Sequence, residues 1–224
     1  MWTNLDGLEA NTGHPEHTFS LENDRLLRVR LTNEQAWSKH GAMVAYTGQV
    51  DFDYQGSGSL GKFMKKQLTG EGTKLATFHG SGDIYLADQG RYVFLVYLQG
   101  EGITLNGPSL LAFSQGIEWD IKRIKGAGGI AGAGLFNTEL WGTGWVALTA
   151  RSKPIKFDVA TTPVIVDPNA AVAWTKDVQH EMRSSFSAAN LIGRGSGESL
   201  QMACWGQGWV LVQPYEEVAV LGQS

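Results

Sequence analysis

One short pattern, an apolar or aromatic pair followed by Gly-x-Gly and an apolar run, occurs three times along this chain. The copies span residues 78–86, 140–148 and 204–212. Their first glycines are Gly80, Gly142 and Gly206, so the steps along the chain are 62 and 64 residues. Such even spacing predicts one structural unit built three times.

A second pattern keeps the same register. Segments 41–46, 108–113 and 169–174 each end in Ala followed by an aromatic residue. The seventh residue after that aromatic is a carboxylate in all three cases: Asp53, Asp120 and Glu181. We therefore predict one compact domain over residues 1–224, made of repeats at about 31–91, 98–154 and 162–216, with an N-terminal arm at 1–30.

Composition and periodicity favour an all-β fold. Glycine accounts for 29 of 224 residues and there are eight tryptophans, as expected for aromatic strands separated by turns and bulges. Residues 50–54 and 117–122 alternate between apolar and charged, which predicts half-buried strands. Runs 92–98 and 209–212 are apolar on both faces, which predicts strands covered on both sides. One or two short helices are expected, the clearest at 60–68.

Three equal β units can stack in a row or close into a ring. A row leaves strand edges exposed at both ends, whereas a closed ring removes them. We therefore expect a pseudo-threefold ring.

Charge and cysteine usage limit the function classes. The net charge is −4, which lacks the basic excess of a protein that neutralises many phosphates, so nucleic acid is a disfavoured partner. The single cysteine, Cys204, excludes an intrachain disulfide and favours a reducing compartment. The N-terminal residues lack a basic start followed by an apolar stretch, and the sequence contains no apolar run long enough for a spanning helix. We expect a cytoplasmic protein.

Two stretches carry a family resemblance. Residues 60–72, followed by 78–86, resemble the altered-inheritance-of-mitochondria (mitochondrial biogenesis) family of TRAP-like β proteins, which has bacterial members. Residues 132–144 fit as well, so the resemblance covers nearly the whole chain after residue 20. It implies three tandem lobes, each a short double-stranded β-helix similar to a subunit of the tryptophan RNA-binding attenuation protein. It implies no reaction and no catalytic residues, and fold likeness alone does not imply RNA binding.

The three repeated carboxylates, Asp53, Asp120 and Glu181, are a candidate cation set. Pseudo-threefold symmetry would place them at equivalent points, where their oxygens could bind a hard cation. The simpler interpretation is that they form the solvated face of exposed strands, and charges that alternate with apolar residues require no other cause.

A basic rim is the second candidate site. It consists of Lys62, Lys65, Lys66, Lys122, Arg123 and Lys125. Such residues could bind RNA phosphates or an anionic membrane surface. The alternative is a solvated face, because each cluster is short and the chain carries 22 acidic residues.

Other motifs argue against an active site. His14 and His17 flank a proline and do not match the ligand pattern of cupin-like enzymes. The glycine-rich stretch 126–134 lacks the helix that a dinucleotide fingerprint needs. The tryptophans at 141, 145, 205 and 209 are expected to fill lobe cores rather than to stack a ligand.

The prediction from sequence is a non-catalytic scaffold without cofactors or bound metal. Its partner would be another protein, whose identity the sequence does not give, or further copies of the chain. The alternative is a module that binds a small ligand or RNA in grooves between lobes or at the basic rim.

Overall fold

The computed structural model describes residues 2–3, 18–54, 75–123, 136–184 and 200–216, and these form an antiparallel all-β fold. The elements in this part of the chain are fifteen strands and one 3-10 turn at Gly107–Ser109. In chain order the strands are β1 (Trp2–Thr3), β2 (Phe19–Asn23), β3 (Leu26–Lys39), β4 (Met43–Tyr54), β5 (Leu75–Leu86), β6 (Tyr92–Asn106), β7 (Leu110–Ser114), β8 (Ile117–Arg123), β9 (Phe136–Ala150), β10 (Ile155–Asp158), β11 (Val164–Val166), β12 (Ala171–Thr175), β13 (Val178–Ser184), β14 (Leu200–Gly206) and β15 (Trp209–Val212).

The strands form a large sheet and a small one. The main path of the large sheet runs β10-β15-β12-β6-β9-β7-β3-β5-β4, with β1, β2 and β8 attached to β6, β3 and β9. The small sheet runs β11-β14-β13. The antiparallel pair β6 and β9 lies at the centre of the large sheet.

The predicted strand patterns are confirmed where the structure describes them. In 50–54 Asp51 and Asp53 are exposed while Val50 and Phe52 are partly buried. Along β6, residues 93–96 are all buried, as a strand covered on both sides requires. The predicted helix at 60–68 lies outside the described residues.

One hairpin register occurs three times. Cross-strand partners are Phe52 and Phe78 in the first copy, Trp119 and Leu140 in the second, and His180 and Cys204 in the third. In each copy a β-bulge lies within the segment that ends in Ala and an aromatic residue. The bulges fall between Met43 and Ala45, between Leu110 and Ala112, and between Ala171 and Ala173. The register predicted from the repeated motifs therefore appears in the strand pairing.

The first glycine of each Gly-x-Gly motif permits close contact with the neighbouring strand. Gly80, Gly142 and Gly206 have φ of 125°, 118° and 103°. A Cβ at Gly80 or Gly142 would lie 2.3 Å from the carbonyl oxygen of Gln49 or Gly116. Only glycine combines this backbone conformation with this approach.

Two of the hairpins pair with the strand that opens the preceding copy. β7 pairs with β3, placing Phe113 opposite Trp37, and β12 pairs with β6, placing Trp174 opposite Thr104. We call these two ladders the internal junctions. Within the described residues the pairing path ends at β10 and β4, so closure into a ring by a third such ladder is not observed there, and the pseudo-threefold ring stays a prediction.

The N-terminal part of the chain joins the large sheet. β2 pairs with the start of β3, and β1 pairs with β6 through Trp2 opposite Tyr97. β3 begins at Leu26, before the predicted repeat boundary at 31. None of the helices in the described part of the chain is long and apolar enough to cross a membrane.

Candidate interaction surface

The three repeated carboxylates occupy the same register position in three different hairpins. Asp53 lies opposite Thr77, Asp120 opposite Glu139, and Glu181 opposite Ala203. Glu181 accepts a hydrogen bond from Arg183 Nε at 3.2 Å. Among the described residues no group of three or more His, Cys, Asp or Glu side chains is arranged to hold a metal ion, and the cation set stays a prediction.

Most of the basic rim lies outside the described residues. This is so for Lys62, Lys65, Lys66 and Lys125, and the side chain of Arg123 is likewise not described. Lys122 forms an ion pair with Glu139 on the adjacent strand. Its hydrogen bond to Glu139 raises the pKa of Lys122, and the charge of Asp120 adds to the effect. Lys122 is therefore already paired with a carboxylate.

A buried polar cluster lies where β3 and β9 approach the turn between β5 and β6. Asp88 is buried and accepts a hydrogen bond from Thr149 Oγ1 at 3.2 Å. Lys39 Nζ lies 2.8 Å from the same carboxylate, and Arg91 Nε lies 3.6 Å from it. This arrangement neutralises a buried charge and ties separate strands together, which is a structural role.

Cys204 has no features of a reactive thiol. Its side chain is completely buried in the third hairpin, and burial raises the pKa of the thiol to about 11. The thiolate is the nucleophilic form, so this environment suppresses reactivity.

The motif tryptophans are partly buried rather than fully internal. Trp145 packs against the core and contacts Tyr97 with ring centroids 4.9 Å apart. Trp209 also packs against the core. Trp205 Nε1 donates a hydrogen bond to Gln179, and Lys176 Nζ lies 5.5 Å from the centre of the Trp141 ring. The core role predicted for all four is thus seen in Trp145 and Trp209.

The largest exposed apolar side chains are concentrated on strands that end a sheet. Val44 and Tyr46 on β4 are 59% and 49% exposed, and Ile155 on β10 and Ile165 on β11 are each 58% exposed. In the described part of the chain Tyr215 is the one further large hydrophobic residue that is exposed, and it packs against Arg151. Free strand edges with exposed apolar side chains are templates for pairing with another strand.

Sequence reasoning missed this surface. The segment Val44-Ala45-Tyr46 resembles Leu111-Ala112-Phe113 and Val172-Ala173-Trp174 in apolar character, and the latter two are buried at the internal junctions. The order of the three copies could have indicated this exposure, because the first hairpin follows no other copy of the motif that could supply a neighbouring strand.

Comparison with known proteins agrees with the architecture. Residues 19–215 match the model of the family described as mitochondrial biogenesis AIM24. The crystal structure of a Streptococcus pyogenes protein, a structural genomics target, superposes with a TM-score of 0.70 and 22% sequence identity, covering 89% of this chain and 93% of that one. At this identity the similarity concerns the fold. No curated protein matches the chain.

Proposed function

The chain belongs to the mitochondrial biogenesis AIM24 family, and from this premise we propose that it is a non-catalytic assembly scaffold that binds protein through its free strand edges. The proposed setting is the cytoplasm. The observation that carries the proposal is the location of Val44, Tyr46, Ile155 and Ile165, which expose apolar side chains on strands that end the two sheets.

The chemistry of these edges suits a protein partner. Each edge strand presents backbone N–H and C=O groups along one side, and an added strand would satisfy them. No charged residue occurs between Val44 and Val50 or between Pro163 and Val166, so a strand added along these segments of β4 and β11 meets no charged side chain of the segment itself. The β10 edge differs, because it carries Lys156 and Asp158.

The three-lobed, TRAP-like architecture is part of the same proposal. Its support is the hairpin register that recurs at Phe52, Trp119 and His180. A body made of three similar units offers several similar edges, and this suits assembly better than a single catalytic pocket. The alternative, a small-ligand or RNA-binding module, is not favoured by Lys122, which is paired with Glu139.

Native mass spectrometry of untagged protein from its own cells tests the scaffold. We expect a complex that contains more than one polypeptide chain. The Tyr46→Lys variant should lose the additional chain because a charge replaces an exposed apolar contact. The Tyr215→Lys variant is the matched control, since Tyr215 is 41% exposed but lies outside the end strands.

A single chain in the wild-type spectrum would contradict the scaffold. Extra mass that equals a nucleotide or metabolite on that single chain would favour the ligand-binding alternative. Equal loss of the additional chain in Tyr46→Lys and Tyr215→Lys would place the contact elsewhere.

A further inference from the structure

We propose that the partner at these edges is a second copy of this chain, with β4 of one copy pairing antiparallel to β11 of the other in the register of the internal junctions. This inference deepens the proposed scaffold function and rests on it. It names both the occupant and the residue pairing.

The register follows from equivalent positions in the three copies. Trp37 lies opposite Thr77, Thr104 opposite Glu139, and Ile165 opposite Ala203. Residues 77, 139 and 203 each precede the first glycine of a Gly-x-Gly motif by three positions. Ile165 of β11 is therefore the counterpart of Trp37 and Thr104.

The same equivalence identifies the missing partner of Ile165. Trp37 pairs with Phe113 and Thr104 with Trp174. Phe113 and Trp174 correspond to Tyr46, the aromatic that ends the first of the three segments. The third junction would therefore place Tyr46 opposite Ile165, with Thr47 opposite Val164 and Ala45 opposite Val166.

The exposure of the described residues shows that the positions of this third junction are uncovered in one chain. Phe113 and the bulge residues Leu111 and Val172 are completely buried, whereas their counterparts Tyr46 and Val44 are about half exposed or more. On the opposite side Ile165 is exposed, while Thr104 is buried and Trp37 is partly buried. The apolar side chains of Val44 and Tyr46 on β4 and of Ile165 on β11 could therefore form an apolar contact, but they do not meet within the described part of one chain.

A backbone contact supports the same pairing. At the internal junctions Gln115 N donates to Gln35 O at 3.2 Å, and Lys176 N donates to Gly102 O at 3.0 Å. The counterpart donor is Gly48, and the counterpart acceptor is the carbonyl of Pro163. Proline lacks an N–H but keeps its carbonyl, so Pro163 fits a position that is used as an acceptor.

A second copy is the occupant that these edges fit because each edge already matches the other. Within the described residues of one chain the strand path ends at β4 and no ladder joins it to β11, so a second molecule can supply the complementary strand. A contact between β4 and β11 joins two different edges. It closes a symmetric dimer when the same two chains form it twice about a twofold axis, and otherwise it extends into a larger ring or a filament.

Disulfide trapping tests the register. Thr47→Cys and Val164→Cys are made in separate chains, mixed and oxidised, which leaves Tyr46 and Ile165 in place. We expect a covalent dimer, because antiparallel cross-strand neighbours lie within disulfide reach. The mismatched mixture of Gln49→Cys with Val164→Cys is the register control and should give at least about fivefold less dimer, since two residues along a strand shift the thiols by about 6 to 7 Å.

Oligomeric state gives an independent readout. Ile165→Lys should shift the protein to monomer in light scattering, whereas Tyr215→Lys should leave the oligomer unchanged. Tyr215 is also exposed, at 41%, and it lies outside β4 and β11.

Three results would overturn self-pairing. One is monomeric wild-type protein at all concentrations, and another is equal trapping in matched and mismatched mixtures. The third is a double Thr47→Cys/Val164→Cys variant that oxidises only within single chains, since that would show ring closure inside one molecule. If self-pairing fails while Tyr46→Lys still removes a different protein from the native complex, the scaffold stands and the second copy does not.

Discussion

At Asp88 a single buried carboxylate lies close to two cations from separate parts of the chain. Lys39 is supplied by β3 and Arg91 by the start of β6, and both lie near the same oxygen. Asp88→Asn keeps the shape of the side chain and removes the charge. We expect a loss of about 3 kcal/mol in the free energy of unfolding, because the cations would remain largely buried without their counter-charge. Urea denaturation of both proteins measures this loss.

Asp83 provides the control for Asp88. It pairs with Arg30 at 2.9 Å, but this pair lies towards solvent. Asp83→Asn should lower the free energy of unfolding much less than Asp88→Asn, because solvent screens surface ion pairs. Equal losses in the two variants would contradict the structural role assigned to the buried cluster.

Single residues could be located in strand register from the sequence, but a difference in burial between equivalent positions of two copies could not be predicted. The positions of Asp53, Asp120 and Glu181 within their hairpins follow from spacing alone. By contrast Tyr46 and Phe113 occupy equivalent positions in similar segments, and one is half exposed while the other is buried. Burial depends on which strand lies alongside, and this is a property of the assembled sheet.

Among the strands, β9 shows what the Gly-x-Gly motif does. The strand continues without a break from Phe136 to Ala150 across Gly142 and Gly144. From the sequence, the tryptophans beside these glycines are expected to fill lobe cores. The structure shows that the carbonyl of Gly116 occupies the space where a Cβ of Gly142 would lie. Sequence alone identified the glycines as structural, whereas the neighbour that requires them depends on pairing between β8 and β9.

We expect Gly142→Ala to be strongly destabilising. The substitution would place a Cβ 2.3 Å from Gly116 O at a residue with φ of 118°. The combined strain and displacement of β8 should cost more than about 2 kcal/mol in the free energy of unfolding. Thermal or urea denaturation gives the value.

Gly100→Ala separates the two causes. Gly100 also has a positive φ, of 98°, but a Cβ there would meet no atom within 4 Å. Only the backbone strain remains, and we expect a loss of about 1 kcal/mol in the free energy of unfolding. If Gly100→Ala were as costly as Gly142→Ala, close contact between β8 and β9 would not explain the glycine.

For the whole molecule, the all-β class and the repeated register follow from the sequence and are seen in the strand pairing, whereas the closed ring stays a prediction. It rests on the expectation that strand edges are covered within one chain. The described structure leaves β4 and β11 unpaired with each other. Rotation between successive copies decides whether the ends meet, and this angle depends on packing across the internal junctions rather than on any local motif.

If two chains pair through β4 and β11, the thermal stability of the protein depends on the protein concentration. Association through β4 and β11 requires folded chains, so mass action favours the folded state as concentration rises. We expect the wild-type melting temperature to rise by about 2 to 4 °C for each tenfold increase in protein concentration. Tyr215→Lys should behave in the same way, whereas Ile165→Lys should melt at one temperature throughout, because it removes the contact that links the chains. Calorimetry over a hundredfold concentration range separates the variants, and a wild-type melting temperature that does not change would show that the chain folds and remains as a single copy.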